Sequence, residues 1–315
     1  MRTRSLAASL GVALLLGASV ILTAPALHGQ QAPAPPPNPF ARLHFRFVGP
    51  TGNRAAAVVG EPGNPSVIYV GAASGGIWKS TNGGVDFHPI FDHEDVAAIG
   101  ALAIAPSEHN LVWAGTGEPW LIRPDHPLGD GVYKSENAGR TWQHLGLNRT
   151  GHIARIVIDP RDPDHVFVCA VGQAYRPQHE RGVFRTTDGG KTWQQVLFVN
   201  EHTGCSDLTM DAHYPDTLFA GMWQVSISPW NLDSGGPGSG VYVSHDGGTT
   251  WKKLTGHGLP PAGTVLGKVA VQVAPSDSQR VYALLVKKND PGFYRSDNGG
   301  RTWRLVHQSH VIDQR

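Results

Sequence analysis

The sequence carries almost no surplus charge of either sign. Its 26 Lys and Arg are balanced by 25 Asp and Glu, and charged residues are only 16% of the chain. Without a basic excess there is no electrostatic footprint for nucleic acid or for an anionic membrane surface. The 16 histidines are scattered, no His-Glu-x-x-His occurs, and no Cys/His spacing matches a zinc site. Neither a bound metal nor a cofactor is therefore expected. No segment holds a sustained 3.6-residue apolar period, so helices should be few. What is abundant is glycine, 39 in all, which suits short strands joined by many tight turns.

The apolar run from Leu10 to Leu22 falls short of the roughly 20 residues that span a bilayer. Arg2 and Arg4 precede it, and Ala24-Pro25-Ala26 supplies a small-x-small cleavage site. Residues 1–26 thus read as a signal peptide, and residues 27–43, rich in Pro, Ala and Gln, as an extended linker. The expected location is secreted or periplasmic, with no membrane insertion after signal removal. The only cysteines are Cys169 and Cys205. Export makes a disulfide chemically possible, but spacing cannot establish its geometry, and the favoured reading is two buried free thiols.

One eight-residue phrase occurs five times, at Ser80–Phe87, Ser135–Trp142, Thr186–Trp193, Ser244–Trp251 and Ser296–Trp303. A turn motif recurring about every fifty residues signals a repeat architecture. Each copy is flanked by the same alternating apolar segments. In the third repeat they are His152–Ile158, His165–Val171, Gly182–Arg185 and Gln194–Phe198, with an Asp/Pro turn between the first two. Four antiparallel strands per repeat make a propeller blade. The expected fold is an all-β propeller over residues 44–315, with blades near 45–95, 96–150, 151–203, 204–262 and 263–315. Five blades either close alone, with His44–Val48 pairing against Arg304–His307, or form part of a larger propeller. An open arc would leave faces and edges for self-association or for further blades.

Within the phrase, the third residue is Asn82, Asn137, Asp188, Asp246 or Asn298, which can accept backbone N–H bonds inside its own turn. The fifth is always glycine, as a positive φ requires. Trp142, Trp193, Trp251 and Trp303 close four copies and can wedge between sheets. A calcium role would call for several carboxylates; the free exchange of Asn for Asp argues for a structural one.

The phrase resembles the Asp-box, Ser-x-Asp-x-Gly-x-Thr-Trp, also called the BNR repeat. Asp-boxes occur in sialidases, sortilin/VPS10 propellers, xyloglucanase-type glycosidases and exported bacterial YVTN/WD40-like proteins. The stretches Ile68–Ser80 and Gly235–Tyr242 are most similar to the last group, whose members usually carry more blades. The resemblance implies a β-propeller that binds glycans or peptides, or cleaves glycosidic bonds. The Arg-Ile-Pro motif of sialidases has no counterpart here, since Arg46-Phe47-Val48 stands in the nearest place.

Blade topology puts the phrase and the first turn on one face, and the long, varied loops on the other. Binding usually lives on such loops. Trp120, Trp223 and Trp230 with Tyr175 are candidate stacking platforms for sugars, and Arg123, Arg176 and Arg181 candidate clamps for anionic groups. Glu118 and Asp125 are the candidate acid/base pair, because glycoside hydrolysis uses two carboxylates. The first expectation is a glycan- or peptide-binding scaffold; the alternative is a glycoside hydrolase of sialidase-like or xyloglucanase-like type. Arg155 and Asp207, each four residues before the Asp that opens the first turn of its repeat, are expected to form an ion pair near the central channel.

Overall fold

Every repeat folds as its own antiparallel sheet. A computed structural model describes residues 54–121, 126–287 and 291–309. The signal peptide, the linker, the strand expected at His44–Val48, and Arg123 and Asp125 lie outside the described residues. Blade 1 contains β1 (Ala55–Glu61), β2 (Asn64–Ala72), β3 (Ile77–Ser80) and β4 (His88–Pro89). Blade 2 contains β5 (Ile99–Ile104), β6 (Val112–Thr116), β7 (Val132–Ser135) and β8 (Gln143–His144). Blade 3 contains β9 (Ile153–Asp159), β10 (Asp162–Ala170), β11 (Gly182–Thr186) and β12 (Gln194–Leu197). Blade 4 contains β13 (Thr203–Met210), β14 (Leu218–Ser228), β15 (Asn231–Ser234), β16 (Gly240–Ser244) and β17 (Lys252–Lys253). Blade 5 contains β18 (Val269–Ala274), β19 (Asp277–Leu285), β20 (Gly292–Ser296) and β21 (Arg304–Gln308).

Strands pair in chain order within each sheet, so every blade is a meander. The innermost strands β1, β5, β9, β13 and β18 pack successively, as in a propeller. No helix occurs among the described residues. Blade 4 departs from the repeat. Its β14 runs on past the sheet and pairs with β15 from Val225 to Ser234, raising a hairpin above the long-loop face. The sequence analysis placed only a loop there.

The phrase locks itself. Ser244 Oγ donates to Asp246 Oδ1 at 2.8 Å and accepts from the Gly248 amide at 2.9 Å. Asp246 accepts from the Thr250 amide and hydroxyl at 2.8 and 2.6 Å. These bonds hold the Asp246 carboxyl down at about 2, as the matching Thr192 bonds do for Asp188. With Asn in the third position the donor reverses: Asn137 Nδ2 donates to Thr141 Oγ1 at 2.8 Å. One acceptor oxygen and one short contact are all the turn requires, which is why Asn and Asp interchange. The fourth position also sits at positive φ, near 65–73° in the glycine copies Gly83, Gly189, Gly247 and Gly299 and 58° in Ala138.

Blades stack through apolar seams. Tyr69, Ile77 and Phe91 of blade 1 meet Ile104, Val112 and Tyr133 of blade 2. Trp113 meets Ile156 and Val166 in the next seam, Phe167 meets Leu218 and Met222 in the third, and Phe219 meets Val271 and Val281 in the fourth. Trp142 and Trp193 bind across their seams, their Nε1 donating to Ile90 O and Leu145 O, both at 2.8 Å. Trp251 and Trp303 instead donate within their own turns, to Gly248 O and Gly300 O.

The cysteines correct the sequence reading. Cys169 of β10 and Cys205 of β13 form a disulfide rather than two free thiols. It crosses the blade 3–4 seam, where both residues are fully buried.

Candidate functional site

Five charged side chains, one from each blade, gather at the innermost strands. Arg54 precedes β1 and Glu118 follows β6; Arg155 lies in β9, Asp207 in β13, and Lys268 precedes β18. Arg54 Nη2 donates to Glu118 Oε2 at 2.5 Å, and Arg155 Nε to Asp207 Oδ1 at 2.9 Å. The second of these is the ion pair expected from the repeat register. Asp207 also accepts from the Leu208 and Val271 amides, both at 3.0 Å, so one carboxylate ties blades 3, 4 and 5 together. Lys268 lies over the Trp223 ring, 5.1 Å from its centroid. Burial pushes its amine down to about 8, against the opposing pull of Asp207 and Glu118. The sequence analysis missed Lys268 and Arg54. Both stand one residue before an innermost strand, and charge at that register was the available signal.

The candidate residues separate into three groups. Trp230 tops the β14–β15 hairpin and is 88% exposed; Tyr175 is 43% exposed. The Ile227 amide donates to Ala174 O at 2.9 Å, which holds the hairpin against the loop bearing Tyr175 and the exposed Arg176. These three residues therefore share one stretch of the long-loop face. Trp120 is half-buried.

Three candidates are buried instead. Trp223 packs with Leu121, Val171, Ala174, Val225 and Ile227, and its Nε1 donates to Ser234 Oγ at 3.0 Å. The hairpin folds over it, so it offers no open sugar platform. Glu118 is 1% exposed and its Oε2 is taken by Arg54, so a bound sugar does not reach it. Arg181 is fully buried and donates to four carbonyls, those of His202, Val225, Gln173 and Arg176. It braces the loop from within rather than clamping a ligand. Burial without a carboxylate partner pushes its guanidinium down to about 10.

His152 lies nearby, fully buried, and neither ring nitrogen has a hydrogen-bond partner among the described residues. Burial, His126 and Arg181 together push it down to about 3. The unfolded chain takes up this proton near 6.5 and the folded chain does not, so stability falls as pH drops from 6.5 toward 3. The expected slope from this group is about 1 kcal/mol per pH unit. Thermal unfolding across that window should flatten in His152→Phe; an unchanged slope would remove His152 as its source.

A 640 Å³ groove lies elsewhere, on the phrase face between blades 4 and 5, lined by His245, Asp246, Trp251 and Arg301. It shares no residue with the axial cluster or with the hairpin. No cluster of three potential metal ligands occurs among the described residues.

The comparisons with known proteins agree with the propeller fold. The profile of the sortilin family (Sortilin-Vps10; sortilin, neurotensin receptor 3) matches residues 130–258. A solved GH74 enzyme from Niastella koreensis superposes with a TM-score of 0.60 at 22% identity, over 79% of this chain and 38% of that one. The chain shares the β-propeller fold of that enzyme. In sequence it is 26% identical over 261 residues to a xyloglucanase of Hypocrea jecorina (strain QM6a), covering 75% of this chain and 30% of the relative. It is 27% identical over 248 residues to the xyloglucanase Xgh74A of Acetivibrio thermocellus, covering 70% and 28%. The chain thus spans about a third of the length of the curated relatives it matches.

Proposed function

We propose that the long-loop face of this propeller binds a xyloglucan-type β-glucan, as one part of a xyloglucanase-like protein. The observation that carries the reading is the similarity to xyloglucanases over 70–75% of the chain. The exposed Trp230 and Tyr175 support it, since flat aromatic faces pack on sugar rings, and Arg176 beside them supplies hydrogen-bond donors. The disulfide supports an extracellular or periplasmic site of action, because such bonds persist in oxidising compartments.

Hydrolysis is the second reading, favoured by what those relatives are named for. Among the described residues it meets an obstacle, because both axial carboxylates, Glu118 and Asp207, are already committed to arginines. Recognition is therefore placed ahead of cleavage.

Titration calorimetry with xyloglucan oligosaccharides tests the proposal. The wild-type chain binds saturably without releasing reducing ends, and Trp230→Ala weakens binding about tenfold, or about 1.4 kcal/mol. Because Trp230 is 88% exposed, the variant keeps its thermal midpoint. Absence of wild-type binding would sink the reading. Release of reducing ends by the wild-type chain would promote the second one.

A further inference from the structure

One register position links the third strand of a blade to the box of the next. Opposite the buried aromatic residue of the second strand, blades 1 to 3 place a cation there: Lys79 opposite Tyr69, Lys134 opposite Trp113 and Arg185 opposite Phe167. Each cation lies against the fourth position of the incoming box. Lys79 Nζ donates to Ala138 O at 2.9 Å and Arg185 Nη1 to Gly247 O at 2.8 Å, while a Cβ on Gly189 would stand 3.3 Å from Lys134 Nζ. The long side chain fills the angle between the third strand and the arriving turn.

Blade 4 breaks this pattern. Val243 stands opposite Phe219. Its side chain is too short to reach the next box, and the Gly299 carbonyl at the matching fourth position accepts no hydrogen bond among the described residues. The seam itself stays closed. A Cβ on Gly300 would come within 2.8 Å of the Phe219 ring, and Val271, Val281 and Trp303 belong to the same core cluster. Space opens where the cation is missing: Val243 and Gly299 both line the groove of about 640 Å³ between blades 4 and 5. That volume suits a small-molecule site.

The lining is basic. Lys252 and Lys253 come from β17, Arg301 from the box of blade 5, and His245 and His257 lie nearby; Asp246 is the single carboxylate. Asp246 is occupied in its own turn, where Ser244 and Thr250 donate to it. Lys253 donates to Pro237 O at 2.6 Å. Arg301 engages only its Nε, on Asn298 O at 2.9 Å; among the described residues no group pairs with its Nη atoms or with the Lys252 ammonium. Two exposed, uncommitted cations thus stand on the two walls of one groove.

We infer that this groove binds an acidic oligosaccharide, with the carboxylates of neighbouring uronic-acid rings on Arg301 and Lys252. A planar guanidinium takes a carboxylate through two parallel N–H bonds, and an ammonium supplies a compact point charge. Sugar hydroxyls meet Thr255 and the open Gly299 carbonyl, both in the lining. A peptide fits less well. The edge strand β17 has only two residues, too few to ladder an extended chain, and no large apolar side chain of the lining is exposed to anchor one. The site differs in face and in ligand charge from the surface around Trp230.

Titration calorimetry with trigalacturonate at low ionic strength tests this, with cellotriose as the neutral control. The wild-type chain binds the acidic trimer saturably, ignores the neutral one, and loses affinity as salt is added. Arg301→Gln and Lys252→Gln each weaken binding about tenfold. Both keep the wild-type thermal midpoint, because the side chains are exposed. Val243→Lys restores the cation that blades 1 to 3 carry, closes the groove and abolishes binding; should that variant not fold, the two Gln variants decide the matter. Trp230→Ala binds trigalacturonate as the wild type does. Absence of wild-type binding, equal affinity for cellotriose, undiminished binding by both Gln variants, or a loss in Trp230→Ala overturns the proposal. Triglutamate binding more tightly than trigalacturonate overturns it in favour of an acidic peptide. Inorganic sulfate matching the affinity of the trimer overturns it in favour of a simple anion site.

Discussion

Trp113→Ala is expected to lower the unfolding free energy by about 4 kcal/mol, the usual cost of truncating a fully buried tryptophan. Trp113 is 0% exposed and sits in the blade 2–3 seam, edge-on to Trp193 at 6.2 Å and beneath the Lys134 ammonium at 5.6 Å. Its removal opens a cavity that Gly190 cannot fill. The indole Nε1 makes no hydrogen bond among the described residues. Trp113→Phe should therefore cost about 1 kcal/mol or less, because lost contact area is offset by removing a buried unpaired donor. Urea unfolding of the two variants measures the difference. Equal losses would show that the indole shape, rather than ring burial, sustains the seam.

Arg181→Ala is expected to cost about 3–4 kcal/mol. Four carbonyls from two blades lose their donor at once, and a void opens against Gly172. Relief from burying an unpaired charge offsets part of the loss. Arg181→Lys should recover little of it, since an ammonium cannot span the carbonyls that the planar guanidinium reaches. The loop from Gln173 to Arg181 should become the first site of proteolytic nicking. If Arg181 were a ligand clamp, the variant would keep its stability and lose only binding.

Different parts of the molecule were legible to different degrees. The blades were readable because the phrase is local: its serine, its Asp or Asn and its glycine bond to one another within eight residues. The Arg155–Asp207 pair was readable because a repeat carries register from one blade to the next. Arg181 and Trp223 were misassigned as surface groups. Arg181 lies in a loop and Trp223 in the part of β14 that read as a loop, where polarity and aromaticity suggest exposure, and nothing in the string shows that β14 continues into a hairpin packed against both. Glu118 was read as a free carboxylate because its partner, Arg54, stands 64 positions away on another blade.

By itself the sequence determined the all-β class, the blade period and the chemistry of each corner, because these depend on contacts between near neighbours. Only the tertiary structure decided which loop residues reach solvent and that Cys169 and Cys205 are joined. Those facts depend on how separate sheets stack, and burial is a property of the stack rather than of any one segment.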